Sequence, residues 1–205
     1  DAGPDIRWIG NERGVAGDTN WSTMDPNAVP YPGADGAGVI AALQHGDPSG
    51  SVWRPGETDV SIRPGWFYHP AEDAKVKTAG EITELYFTSV GRNSKLLLNV
   101  PPTSAGRLHE TDVARLAAFR VNADDLLNAA RDVTRGAVPR TRTAGNQVVL
   151  QMDLGRDRTV SISDLREQIR DGQVVSGYTL EGATDASATA WVTLARGTTI
   201  GYRKL

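Results

Sequence analysis

Cysteine is absent from these 205 residues, which excludes disulfides, thiol nucleophiles and zinc–thiolate sites. Histidine is scarce. His45, His69 and His109 lie too far apart for a sequence-local metal motif, and nothing else in the chain calls for a metal or another cofactor. No apolar run approaches the roughly 18 residues of a membrane span. An excess of charge of one sign is lacking too: 22 Lys+Arg stand against 25 Asp+Glu, and no basic run builds the face that nucleic acid requires. Gly33, Gly36 and Gly38 lie in loop sequence rather than between a strand and a helix, which argues against a phosphate loop. No Gly-x-Ser-x-Gly elbow marks a serine hydrolase. The first residue is Asp rather than Met, so the lack of a signal peptide says little about compartment.

What is present falls into two styles. Ile6, Trp8 and Ile9 around Arg7 read as a strand that runs into Gly10-Asn11-Glu12. Residues 23–56 read as one long loop carrying Pro26, Pro30, Pro32, Pro48 and Pro55. From 79 to 90, Ile82, Leu85, Tyr86, Ser89 and Val90 recur at helical spacing, and Gly91 and Asn93 stop that helix. Lys95–Val100, with its three leucines, reads as a strand buried on both faces, as in a parallel sheet. A second amphipathic helix follows over 109–131 through Val113, Leu116, Ala117, Phe119, Leu126 and Leu127. This is strand–helix alternation. After Arg135-Gly136 the pattern changes to short strands, expected at 147–154, 159–162, 173–181, 188–194 and 198–202, which suggest an antiparallel sandwich. The expected fold is therefore α/β: part of a (β/α)8-type barrel over residues 1–135, then an antiparallel β-sandwich over 136–205. A whole barrel takes about 250 residues, so the first 135 match its C-terminal half.

Glu12 is the foremost candidate for chemistry. It sits in a glycine-flanked loop where a parallel strand ends, the position that barrel enzymes use for catalytic groups. Cleaving a glycosidic bond needs a carboxyl group that protonates the leaving oxygen and then deprotonates water. A solvated loop glutamate is the plainer alternative. Arg7 lies inside an apolar strand and must meet either a carboxylate, Asp5 or Asp59, or a polar ligand. Residues 53–69 interleave carboxylates, arginines and aromatics, the working set for recognising a carbohydrate. In that segment Trp53, Trp66 and His69 are candidate contacts, and Glu57 is a rival for the acid/base role. The plainer reading makes Trp66 core and pairs Arg63 with Asp59. Asn99, at a strand end, is a further candidate against turn or cap roles.

Gly3 to Glu12 resembles the corresponding strand and loop of glycoside hydrolase family 29, the α-L-fucosidases. Asp59 to His69, Ser89 to Pro102, and the two stretches Gly172–Tyr178 and Gly197–Tyr202 are similar to that family in the same order. The resemblance implies a retaining mechanism with an aspartate nucleophile and Glu12 as acid/base. It also implies that Arg7 contacts fucose, and that Trp66, Glu57, His69 and Trp53 fall in segments lining the sugar pocket. The Gly-Asn-Glu loop points to α-1,3/1,4-linked fucose on branched glycans, and the expected partner is a fucosylated oligosaccharide or glycoconjugate. The family's nucleophile strand corresponds to nothing in these residues, so the 205-residue chain alone is expected not to hydrolyse. Secretion or a periplasmic location is the family expectation. A non-catalytic carbohydrate-binding chain, or an inactive remnant, is the rival reading.

Overall fold

The computed structural model describes residues 5–184, 187 and 189–205. Strand β1 (Arg7–Trp8) is followed by β2 (Thr23–Met24), helix α1 (Ala37–His45), β3 (Val52–Trp53) and β4 (Gly56–Ser61). Helix α2 (Ala79–Ser89), β5 (Ser94–Asn99) and α3 (Glu110–Leu126) come next. A parallel sheet runs in the order β1-β4-β5, with Arg7 opposite Gly56, Glu57 opposite Lys95 and Ser61 opposite Asn99. The alternation of strand and helix thus produces a parallel sheet, as expected. β2 and β3 make a separate antiparallel pair.

The core lies between the sheet and its helices. Ile62, Val76 and Ile82 form its centre, and Leu98, Val100, Leu116 and Phe119 pack against it. Helix α2 begins in a capping box: Thr78 accepts from the Glu81 amide at 3.2 Å, and its own amide donates to the Glu81 carboxylate at 2.7 Å.

Several elements depart from the expectation. The stretch 23–56 is no continuous loop, since it holds β2, α1 and β3. The dense segment 53–69 contains β4, whose inward face uses Gly56, Thr58 and Val60. Two of those three are small or polar, so the alternation of a strand was masked. Strand β5 is not buried on both faces. Leu96 and Leu98 point to the helices, whereas Leu97 is 55% exposed on a sheet face that no layer covers among the described residues. Helix α3 stops at Leu126, and Val113 and Leu126 are exposed rather than core.

The region beyond residue 135 forms two separate antiparallel ribbons: β6 (Arg140–Ala144) with β7 (Gln147–Gln151), and β8 (Tyr178–Gly182) with β9 (Val192–Gly197). Strand β6 lies ahead of the first strand expected there, at 147–154. Residues 159–162 have no regular structure, β8 begins only at Tyr178, and β9 only at Val192. Position 188, where a strand was expected to begin, lies outside the described residues. Residues 198–202 turn instead of extending, with Thr199 at φ +29° and Gly201 at φ +65°. Among the described residues no helix is long and apolar enough to cross a membrane.

Residues 164–204 are stitched back onto the first half by polar side chains. Asn93, buried with φ +57°, donates to the Asn20 carbonyl at 3.0 Å and accepts from the Tyr202 amide at 2.8 Å. Gln173 accepts from the Ser22 amide at 2.8 Å, Lys204 pairs with Asp18 at 2.7 Å, and Thr199 accepts from the Asn20 amide at 3.0 Å. Arg203 bonds Asp164 and the Tyr86 hydroxyl.

Candidate active site

The loop after β1 is shaped by backbone economy. Ile9 is fully buried and its amide donates to the Glu57 carbonyl at 3.0 Å, which extends the ladder past Trp8. Gly10 and Gly14 then take φ +85° and +71°, conformations open to glycine. At Gly14 a Cβ would stand 2.8 Å from Val60 Cγ1, so the loop lies flat against β4. Asn11 closes the turn, accepting from the Arg13 amide and donating to the Val15 carbonyl, both at 3.0 Å. Glu12 is left exposed on the outside of that turn.

Trp66 arrives from the loop after β4, at the same carboxyl end of the sheet. Its indole Nε1 donates to Glu12 Oε2 at 3.1 Å, and the residue keeps 36% of its surface exposed. The base of this loop is locked by Arg63, which is buried. Its Nε donates to Asp112 Oδ2 at 3.0 Å and its Nη2 lies 2.9 Å from Asp112 Oδ1. Asp73 takes Nη1 at 2.9 Å, and the guanidinium stacks 4.7 Å from the Tyr68 ring centre. Burial works against this charge, but the hydrogen bonds it donates to Asp112 and Asp73 outweigh burial and raise its pKa. Asp59 is not its partner, as sequence reasoning had allowed. Asp59 instead accepts from Trp8 Nε1 at 2.6 Å on the open face of the sheet.

Arg7 stands apart from the site. It is 0% exposed and points from β1 to the helix side, opposite Trp8. Nε donates to the Leu43 carbonyl at 2.9 Å, Nη1 to the Arg54 carbonyl at 2.6 Å, and Nη2 to Asn20 Oδ1. These are neutral acceptors, one of them in the last turn of α1, where the helix presents its negative end. Burial pulls the Arg7 pKa down to about 10. The expected sugar-contacting arginine is therefore inside the protein, with each of its three nitrogens already bonded.

Of the other expected residues, Glu57 sits in register between Trp8 and Lys95 on the open sheet face, near the amino end of β4. Trp53 pairs with Thr23 in the β2–β3 ribbon, before β4 begins. Trp66 follows the opposite, carboxyl end of β4. His69 is exposed three residues beyond Trp66 and contributes its carbonyl, 3.4 Å from Arg63 Nη1. The structure thus brings Glu12 and Trp66 together and leaves Arg7, Glu57 and Trp53 elsewhere.

Comparison with known proteins matches this arrangement of strands and loops. Residues 32–120 match the family model for alpha-L-fucosidase. Over the whole chain, alpha-L-fucosidase 1 of Arabidopsis thaliana is 33% identical, and a rice protein (Oryza sativa subsp. japonica) provisionally given the same name is 36% identical. This chain is a relative of the glycoside hydrolase family 29 α-L-fucosidases. It spans 44% and 43% of those two proteins, so less than half of their length. The crystal structure of the family 29 protein SpGH29 superposes on 98% of the chain with a TM-score of 0.86 at 35% identity, and the chain covers 47% of it. A family 29 fucosidase of Ruminococcus gnavus, solved in complex with fucose, superposes on 98% of the chain with a TM-score of 0.78 at 25% identity, and the chain covers 44% of it. The α/β fold of this family 29 relative is thereby fixed, and the Gly-Asn-Glu loop and the Trp66 loop are the parts of it that carry candidate chemistry.

Proposed function

We propose that this chain forms the acid/base side of the active site of a retaining α-L-fucosidase, with Glu12 as the carboxyl group that serves both steps. The observation that carries this reading is the hydrogen bond from Trp66 to Glu12 beyond the carboxyl ends of neighbouring parallel strands, where barrel enzymes do their chemistry. In the first step Glu12 gives its proton to the glycosidic oxygen as the bond to the sugar breaks. In the second it takes a proton from the water that releases fucose. The exposed face of Trp66 is suited to pack on the C–H side of the sugar. Residues 1–135 are read as part of a (β/α)8-type barrel, with the ribbons of 136–205 belonging to a β-sandwich. The nucleophilic aspartate of this scheme belongs to another barrel strand, for which the relatives' additional length has room. The substrate class is an α-linked, 1,3- or 1,4-fucosylated glycan. Arg7, buried as it is, acts in this reading as framework rather than as a sugar contact.

Glu12→Gln tests the assignment in a protein that holds this chain and the nucleophile strand. Turnover of natural fucosyl linkages falls about 10²- to 10⁴-fold. On a fucoside with an activated leaving group, added azide restores activity, because azide attacks without needing a proton removed. Undiminished turnover in the variant would transfer the role to Glu57. The 205-residue chain by itself is expected to show no fucose release.

A further inference from the structure

We infer that Ser61 and Asn99 are positioning residues for the Trp66–Glu12 contact. The inference rests on the acid/base reading of Glu12, and it adds two residues that do not bond the carboxylate themselves. Ser61 ends β4 and Asn99 ends β5, and the two are paired in register. Both backbones are therefore held by the sheet, the stiffest part of the molecule near the site.

Their side chains do more than join the two strands. Asn99 Nδ2 donates to Ser61 Oγ and to the Trp66 carbonyl, each at 3.0 Å. The Ser61 hydroxyl donates in turn to the Gly65 carbonyl at 2.7 Å and accepts from the Arg63 amide at 3.3 Å. Residues 61–66 are thus wound around one hydroxyl, and the consecutive carbonyls of Gly65 and Trp66 are both tied to strand ends. Arg63 closes the base of the same loop through Asp112 and Asp73. With the Trp66 backbone fixed, the direction of its indole is set by side-chain rotamer alone, and that direction delivers Nε1 to Glu12. A hydrogen-bonded chain therefore runs from β5 through β4 to the carboxylate on the β1 loop. Three strands share in holding one oxygen.

The test has a readout independent of catalysis. A nitrogen-15 spectrum of the 205-residue chain carries five indole N–H signals, one per tryptophan. Trp66→Phe identifies its own signal by removing it, and Glu12→Gln should shift it. The inference expects Ser61→Ala and Asn99→Ala each to shift the Trp66 signal while the other four stay in place and report an intact fold. If Asn99→Ala does not fold, Ser61→Ala, which removes one oxygen, decides alone. A Trp66 signal unmoved in a folded variant overturns the inference.

In the active protein, Asn99→Ala should lower kcat about 10- to 100-fold with KM little changed, the scale of a misplaced catalytic group. In a Trp66→Phe background the same change should cost less than about twofold, because the link it serves is already cut. Equal losses in the two backgrounds would assign Asn99 a merely structural role. Should Glu12→Gln prove fully active while the Trp66 signal still moves, the catalytic reading fails and the mechanical linkage stands.

Discussion

Arg7 shows what a single residue can and cannot disclose. A cation inside an apolar strand must be compensated, and that much was legible. The compensation comes from the carbonyls of Leu43 and Arg54 and from the amide of Asn20, positions 36, 47 and 13 residues away, which no local pattern announces. Truncation would leave three acceptors unpaired in the interior, each worth about 1–3 kcal/mol. Arg7→Ala should therefore lower unfolding free energy by about 3–5 kcal/mol in a urea titration. Arg7→Lys should recover little, because one ammonium cannot span the fork of a guanidinium. A stable Arg7→Lys variant with an altered KM would return Arg7 to the sugar site. Glu12 was legible for the opposite reason: its neighbours Gly10, Asn11 and Gly14 spell out the turn that exposes it.

At the scale of elements, legibility followed the strength of local signals. Helix α2 was readable because a stripe of Ile82, Leu85 and Ser89 runs along its buried side. Helix α1 was hidden by Gly36 and Gly38 and by the lack of any side-chain cap. The β1 loop is set by conformation as much as by contacts, and Gly14 is its tightest point. Gly14→Ala would hold an L-residue at positive φ and press a methyl group on Val60 and Leu85, at 2.8 and 2.9 Å. We expect a loss of about 2–4 kcal/mol, read from the denaturation midpoint. An unchanged midpoint would show that the loop can lift off β4.

The whole molecule is held together by its late residues returning to its early ones, and here the sequence was least informative. Short strands with turn signals suggested a sandwich, but the described residues make two ribbons and a polar clasp whose members are scattered. Gly201 is central to that clasp: a Cβ there would fall 2.2 Å from Asn93 Cγ, in a cluster with no slack. Gly201→Ala should loosen residues 164–204 from the first half, seen as faster amide exchange in both. Asp164 adds a dependence on pH. Burial raises its pKa, but the bonds from Arg166 and Arg203 win and hold it below the usual carboxylate value. A depressed folded pKa gives stability that is complete above the unfolded value of about 3.9 and is lost as pH falls through the folded one. Urea unfolding at pH 5 and pH 3 should differ more in the parent than in Asp164→Asn, by about 1 kcal/mol. Equal slopes would remove Asp164 from the docking account.

The pairing of residues 18–20 with 198–204 also carries a clock. A ribosome adds about 5–20 residues each second, so Asp18 and Asn20 emerge roughly 10–40 s before Lys204 and Thr199 exist to meet them. During that interval the Asn20 amide and the Asp18 carboxylate lack the partners that Thr199 and Lys204 later supply, and nascent chains stalled before residue 198 should remain open to protease at the segment 18–22.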